Sequence, residues 1–77
     1  MNVKELSERL ILEGIPSNSY SIEEGIPDDK ICLRKINNRW EVYFSERGEK
    51  SNTRIFHTEE EACMNMYERL KDMMKYL

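Results

Sequence analysis

Apolar residues recur at Val3, Leu6 and Leu10, with Ile11 beside them, the three-and-four spacing of one helix face. Asn2 precedes this run and Glu5 follows three residues later, the reciprocal pairing of a capping box. Gly14 readily takes the positive φ found just past a helix end, and Pro16 blocks resumption. The spacing predicts a helix over about residues 3–13. A second stripe, Ala62, Met66, Leu70, Met73 and Leu77, is widened by Cys63, Tyr67 and Met74. Thr58 and Glu61 form a cap at its start, and Glu59, Glu60 and Glu61 complement the helix dipole.

Between these helices the period changes from helical to alternating. Gly-Ile-Pro occurs at 14–16 and again at 25–27, punctuating a short strand, Tyr20 to Ile22. Lys30–Ile36 and Arg39–Ser45 then flank Asn37-Asn38, a pair that tolerates the positive φ of a two-residue hairpin turn. That turn sets Ile31 opposite Phe44, Leu33 opposite Val42 and Lys35 opposite Trp40 on one face. Cys32 with Tyr43, Arg34 with Glu41 and Ile36 with Arg39 fall on the other. One face is then strongly apolar, and a one-residue slip would turn it to solvent. Lys35 is expected to lie over the indole, and Arg34–Glu41 to be a solvated cross-strand ion pair contributing about 0.2–1 kcal/mol.

Arg47 to Asn52 is expected as a polar loop, and Thr53 to His57 as a fourth strand. The facing of that strand is open. With Ile55 inward, Arg54 and Phe56 point out; with Phe56 inward, Arg54 is buried unless the strand is an edge. The predicted fold is α+β in the order α-β-β-β-β-α. An antiparallel three- to four-stranded sheet carries both helices on one face, in one domain spanning 1–77.

Seventy-seven residues suffice for one core and no second. With 39% hydrophobic and 35% charged residues, the chain matches a small globular domain better than a disordered segment. No apolar run approaches the roughly 18 residues of a membrane span, and the N-terminus lacks a basic-then-apolar signal pattern, so the expected location is the cytoplasm. Cys32 and Cys63 lack metal-ligand spacing and are read as reduced, partly buried apolar residues, with a disulfide or nucleophilic role as alternatives. The net charge of −3 is uneven. Ser17 to Asp29 holds Glu23, Glu24, Asp28 and Asp29 and no base, whereas Lys30 to Arg54 holds seven bases against three acids. Such a division bears on partners.

Catalytic chemistry finds little support. His57, the only histidine, directly precedes the cap Thr58, and no local motif joins it to a nucleophile and an orienting acid. Met66, Met73 and Met74 fit the core stripe rather than a soft-metal site. The acids at 23–29 lack EF-hand spacing, and three scattered glycines make no phosphate-cradling loop. No enzyme activity, metal or cofactor is expected. The mixed sheet face, with Cys32, Arg34, Ile36, Arg39, Glu41 and Tyr43, is either a solvated surface or a recognition surface. Arg34, Arg39 and Arg54 would suit nucleic acid, against which the acidic flanks and the pI near 5.2 argue. A homodimer through Cys32, Ile36 and Tyr43 is a further alternative, a monomer the simplest state.

The run Trp40-Glu41-Val42-Tyr43-Phe44-Ser45-Glu46-Arg47-Gly48 resembles a family of small bacterial immunity proteins paired with polymorphic or contact-dependent toxins. The likeness extends over both Gly-Ile-Pro segments, Tyr20-Ser21-Ile22 and Thr58-Glu59-Glu60-Glu61-Ala62-Cys63. It implies a binding function, with no catalytic residues: the protein covers the active site of a cognate toxin domain, and charge complementarity speeds encounter. Many such toxins are nucleases with basic clefts. The resemblance therefore implies partner contacts from Asp28, Asp29, Glu41 and Glu46, with Tyr43 as anchor and Arg34, Ser45 and Arg47 adjoining.

Overall fold

The computed structural model describes residues 1–22 and 29–75. Helix α1 (Val3–Leu12) is followed by a short 3₁₀ turn at Ser17–Ser19 and strand β1 (Tyr20–Ile22). Strands β2 (Lys30–Ile36), β3 (Arg39–Glu46) and β4 (Glu49–Phe56) lead into helix α2 (Glu59–Met74). The α-β-β-β-β-α order is the one the periodicity predicts. The second Gly-Ile-Pro, Asp28 and Leu77 lie outside the described residues.

Both ends of α1 are closed by local chemistry. The Asn2 carboxamide oxygen accepts from the Glu5 N–H at 2.8 Å, and the Glu5 carboxylate accepts from the Asn2 N–H at 3.1 Å. At the far end Gly14, with φ 73°, donates to Ile11 at 3.1 Å, and Ile15 donates to Leu10 at 3.0 Å. These two bonds make a Schellman motif, and its apolar pair, Leu10 and Ile15, is buried in the core. Ile11 does not widen the buried stripe: it is 71% exposed and Leu12 is 85% exposed. Leu6 and Leu10 already span the contact with α2, and the two following positions rotate to the outside.

The helices share one core with the sheet. Leu6 and Leu10 pack with Ala62, Cys63, Met66 and Leu70 of α2 and with Ile31, Leu33, Trp40 and Val42 of β2 and β3. Each fully buried leucine contributes about 1.5–3 kcal/mol. Polar ties hold the helix pair at both ends. The Val3 N–H donates to the Glu59 carboxylate at 2.7 Å. At the other end the Glu13 carboxylate accepts from Tyr67 Oη at 2.6 Å, Lys71 Nζ at 2.8 Å and Arg9 Nε at 3.0 Å. Early α1 meets early α2 and late α1 meets late α2, so the helices run in the same direction.

The sheet order is β1-β2-β3-β4. β2 and β3 pair in the register that their alternation predicts, from Ile31 opposite Phe44 to Ile36 opposite Arg39. Of the turn pair, Asn37 takes the left-handed conformation, φ 54°. Lys35 Nζ stands 5.7 Å from the Trp40 ring centroid, as expected. Two features differ from expectation. β1 pairs with β2 in parallel, Tyr20 beside Ile31 and Ile22 beside Leu33, so the sheet is mixed rather than wholly antiparallel. β4 begins at Glu49, because Arg47 (φ 51°) and Gly48 (φ 80°) close a two-residue turn where a longer polar loop was expected.

β4 is an edge strand, which settles its facing. Phe56 lies beside Trp40 on the helix side, and Ile55 beside Glu41 points the other way. Arg54 shares the helix side with Phe56 and stays exposed, its guanidinium 5.6 Å from the Phe56 ring. A register shift opposite Tyr43 lets Asn52 and Thr53 answer one residue of β3, and Asn52 takes φ 52° there. Among the described residues no helix is long and apolar enough to cross a membrane.

Hydrogen bonds from Lys71, Tyr67 and Arg9, in that order, hold the Glu13 carboxyl at a pKa of about 2, below its ordinary 4.5. A carboxylate depressed in the folded state stabilises the fold above its unfolded pKa and loses that effect as pH falls through the folded value. The urea midpoint should therefore fall between pH 4.5 and 2, and Glu13→Gln should flatten that part of the profile while lowering the midpoint at pH 7. An unchanged acid limb in the variant would show that the helix tie carries no proton linkage.

Candidate functional site

The sheet face away from the helices carries four of the eight predicted contact residues, Arg34, Glu41, Tyr43 and Ser45. Register stacks them in rows across the strands. Ser21, Cys32 and Tyr43 form one row, Arg34, Glu41 and Ile55 the next, and Lys30, Ser45 and Lys50 a third; Ile36 and Arg39 stand near the β2–β3 turn. The centre of this face is not the solvated surface that the alternation suggests. Tyr43 and Ser45 are fully buried, and Cys32, Glu41 and Ser21 nearly so. Tyr43 therefore offers no exposed ring to a partner, and Cys32 and Tyr43 form no dimer surface. Side chains from the flanking strands help to close these positions off: Lys50 reaches over the Tyr43 ring and against Glu41.

The charges on this face are arranged around Glu41. Lys50 Nζ lies 2.6 Å from its carboxylate, and Arg34 Nε stands at 3.9 Å. The close partner thus comes from β4, and the Arg34–Glu41 pair is solvated on one side alone: 37% of the Arg34 side chain is exposed against 9% of Glu41. The same Lys50 ammonium stands 4.7 Å from the Tyr43 ring centroid, where the aromatic face attracts it. Burial pushes the Tyr43 phenol above its ordinary pKa, with Cys32 adding to the rise and Arg34 opposing it. Burial likewise raises the Cys32 thiol, and it brings Cys63, on the helix side, to about 11 with help from the Glu59 charge. Both cysteines are free, buried and protonated at neutral pH, which suits apolar filler and not a nucleophile.

The exposed contact residues gather at one end of the sheet. Glu46 and Glu49 sit directly opposite each other across the Arg47-Gly48 turn. Asp29 stands in a turn with φ 53°, just before Lys30, which pairs with Ser45. All three acids are exposed, and none has an ion-pair partner among the described residues. Arg47, also exposed, caps the turn, and a shallow concavity of about 400 Å³ runs along Glu46, Arg47, Glu49, Lys50 and Ser51. Glu49, expected in a polar loop, instead pairs with Glu46 as the first residue of β4. The signal was Gly48 in second place of a two-residue turn, which makes 46 and 49 a cross-strand pair.

The opposite end of the outer face is less polar. Ile55 is 52% exposed and joins Ile36, Asn37, Asn38, Arg39, Trp40 and Glu41 around a cavity of about 400 Å³. The arginines proposed for nucleic acid do not share a surface. Arg34 and Arg39 stand on this face, and Arg54 stands on the helix side. Among the described residues no three of His, Cys, Asp and Glu gather to hold a metal ion, and His57 is exposed at the bend between β4 and α2.

Lys50→Met leaves the buried Glu41 carboxylate with only the distant Arg34, and it should cost about 1–3 kcal/mol. Lys50→Arg should keep most of that stability. Urea unfolding of the two variants separates the charge from the packing of the chain, and equal losses would show that the ion pair is idle. No family model matches this chain, and no curated protein or solved structure does either.

Proposed function

We propose that this chain is a non-enzymatic binding protein of the immunity type, which neutralises a co-produced bacterial toxin in the cytoplasm by covering its active site. The reading rests on the resemblance of the Trp40–Gly48 run and on one structural observation, the exposed and directly opposed acids Glu46 and Glu49, with Asp29 exposed in the turn before β2. Like charges placed directly opposite on neighbouring strands destabilise a hairpin. Neither Glu46 nor Glu49 makes an ion pair among the described residues, although Arg47 stands in the turn between them. Violations of this kind concentrate at working surfaces. A basic cleft, such as that of a nuclease, would neutralise these acids on docking, and long-range attraction would speed the encounter. Glu41, first assigned to this contact, instead holds Lys50 and acts through the sheet.

The reading separates binding from stability. Glu46→Lys places a cation opposite Glu49 and should raise stability by about 0.2–1 kcal/mol. The same change should weaken the complex with the toxin and abolish protection of cells that express it. The toxin is sought in the reading frame adjacent to this one, by co-expression and by pull-down from the native host. No growth-inhibiting neighbour and no toxin-like partner would remove the proposal. Protection undiminished in Glu46→Lys and in Glu49→Lys would move the contact elsewhere.

A further inference from the structure

On the helix side of the sheet, an open groove of about 590 Å³ runs between the edge strand β4 and the last turns of α2. Ile31, Phe44 and Met73 supply apolar lining; Asn52 and Thr53 line it from the β4 bulge; Arg54, Arg69 and Asp72 supply its charges. Arg69 is half-buried, yet no carboxylate pairs with it and no hydrogen bond satisfies it among the described residues. The acid in the lining, Asp72, is turned to Lys75 at 3.2 Å. Arg54 stands over the Phe56 ring and makes no ion pair among the described residues. Burial lowers the Arg69 pKa, and the like charge of Arg54 lowers it further, so the two guanidiniums feel each other across the groove.

A half-buried guanidinium beside a second one, with no ion pair to either among the described residues, is an unfavourable arrangement. Salt-bridged arginines elsewhere in this protein show the alternative: Arg9 has Glu13 and Arg34 has Glu41. An arginine held short of water and left uncompensated is suited to an anion supplied from outside, and its planar fork prefers a carboxylate or phosphate. The surroundings narrow the choice. Phe44 and Met73, both partly exposed, would meet an apolar group beside the anion. The groove is open along its length rather than closed around a small molecule, and it borders the unpaired edge of β4.

We propose that this groove docks an extended acidic–apolar segment of a partner protein, with a carboxylate seated between Arg54 and Arg69 and a neighbouring apolar side chain on Phe44 and Met73. Charge complementarity is the argument for this occupant. An extended segment also matches an edge strand that offers free backbone groups beside the groove. The site lies across the sheet from Lys50 and Glu41, and it stands independently of the toxin reading, which calls for a basic partner at Glu46 and Glu49.

The test uses the full chain and amide chemical shifts. The probe is a blocked hexapeptide alternating glutamate with phenylalanine or leucine. Shifts should concentrate at Asn52, Thr53, Arg54, Arg69 and Met73, and the glutamine version of the peptide should lose them. Arg69→Gln should weaken binding at least about fivefold without lowering the melting temperature, because the charge removed has no partner in the fold. Arg54→Gln, on the exposed edge strand, should weaken it similarly. Shifts absent from the groove, equal binding of the glutamine peptide, or a melting temperature that falls in Arg69→Gln would overturn the proposal. So would inorganic phosphate moving the same amides with equal affinity, which would mark a simple anion pocket. Glu46→Lys should leave peptide binding unchanged, which keeps this result separate from the fate of the toxin reading.

Discussion

Strand β3 is buried on both faces, and that double burial is the constraint on which the rest of the structure depends. Trp40 and Val42 meet the helices, while Glu41, Tyr43 and Ser45 are enclosed on the opposite side. An ionised side chain at such a position is tolerable only with a close counter-charge. Lys50 supplies it from β4, and its ammonium also lies over the Tyr43 ring. One lysine thus joins the edge strand to the central strand and completes the environment of the largest buried side chain. The Arg47-Gly48 turn delivers it there, since only a two-residue loop places Lys50 beside Ser45.

The helix side solves a different problem. A chain of this length buries a modest fraction of its surface, and α1 contributes only Leu6 and Leu10 as fully buried side chains. The polar ties at Glu59 and Glu13 fix where along α2 that short apolar contact is made. Glu13 sits at the C-cap of α1, where the helix dipole disfavours a negative charge. Three donors from Arg9, Tyr67 and Lys71 outweigh that effect, as the depressed pKa of the carboxyl shows. The Schellman turn then sends Ile15 back into the core before the chain enters β1.

Legibility in the sequence followed the strength of the burial signal. The β2–β3 register was readable because one face is apolar and Asn37-Asn38 leaves little freedom in the turn. The caps at Asn2 and Thr58 were readable because a side chain three residues on completes each. The length of β4 was not, since an edge strand such as Glu49-Lys50-Ser51-Asn52 is exposed on both faces and carries no alternation. The parallel direction of β1 was hidden because three residues do not encode a pairing direction. The burial of Tyr43 and Glu41 was hidden for a third reason: their residue types describe a wet surface, and only the pairing with Lys50 shows otherwise. Arg69 was legible in principle. It stands three residues after Met66 and four before Met73, squarely on the apolar stripe of α2, where a charge calls for an explanation.

The charges of this protein divide into those that the fold uses and those that it leaves over. Glu13, Glu41, Lys50 and Lys71 are engaged in short ion pairs across elements. Others make no ion pair among the described residues, including Asp29, Glu46 and Glu49 near one end of the sheet, with Arg47 in the turn between the two glutamates, and Arg54 and Arg69 along the groove under α2. Solubility alone favours interspersed signs, which cost nothing in local repulsion. Two places where like charges are held close, one of them partly buried, are local costs that no ion pair among the described residues offsets. Among the described residues the two shortest ion pairs, Lys50–Glu41 and Lys71–Glu13, join separate elements, so the charge that the fold uses acts where those elements meet.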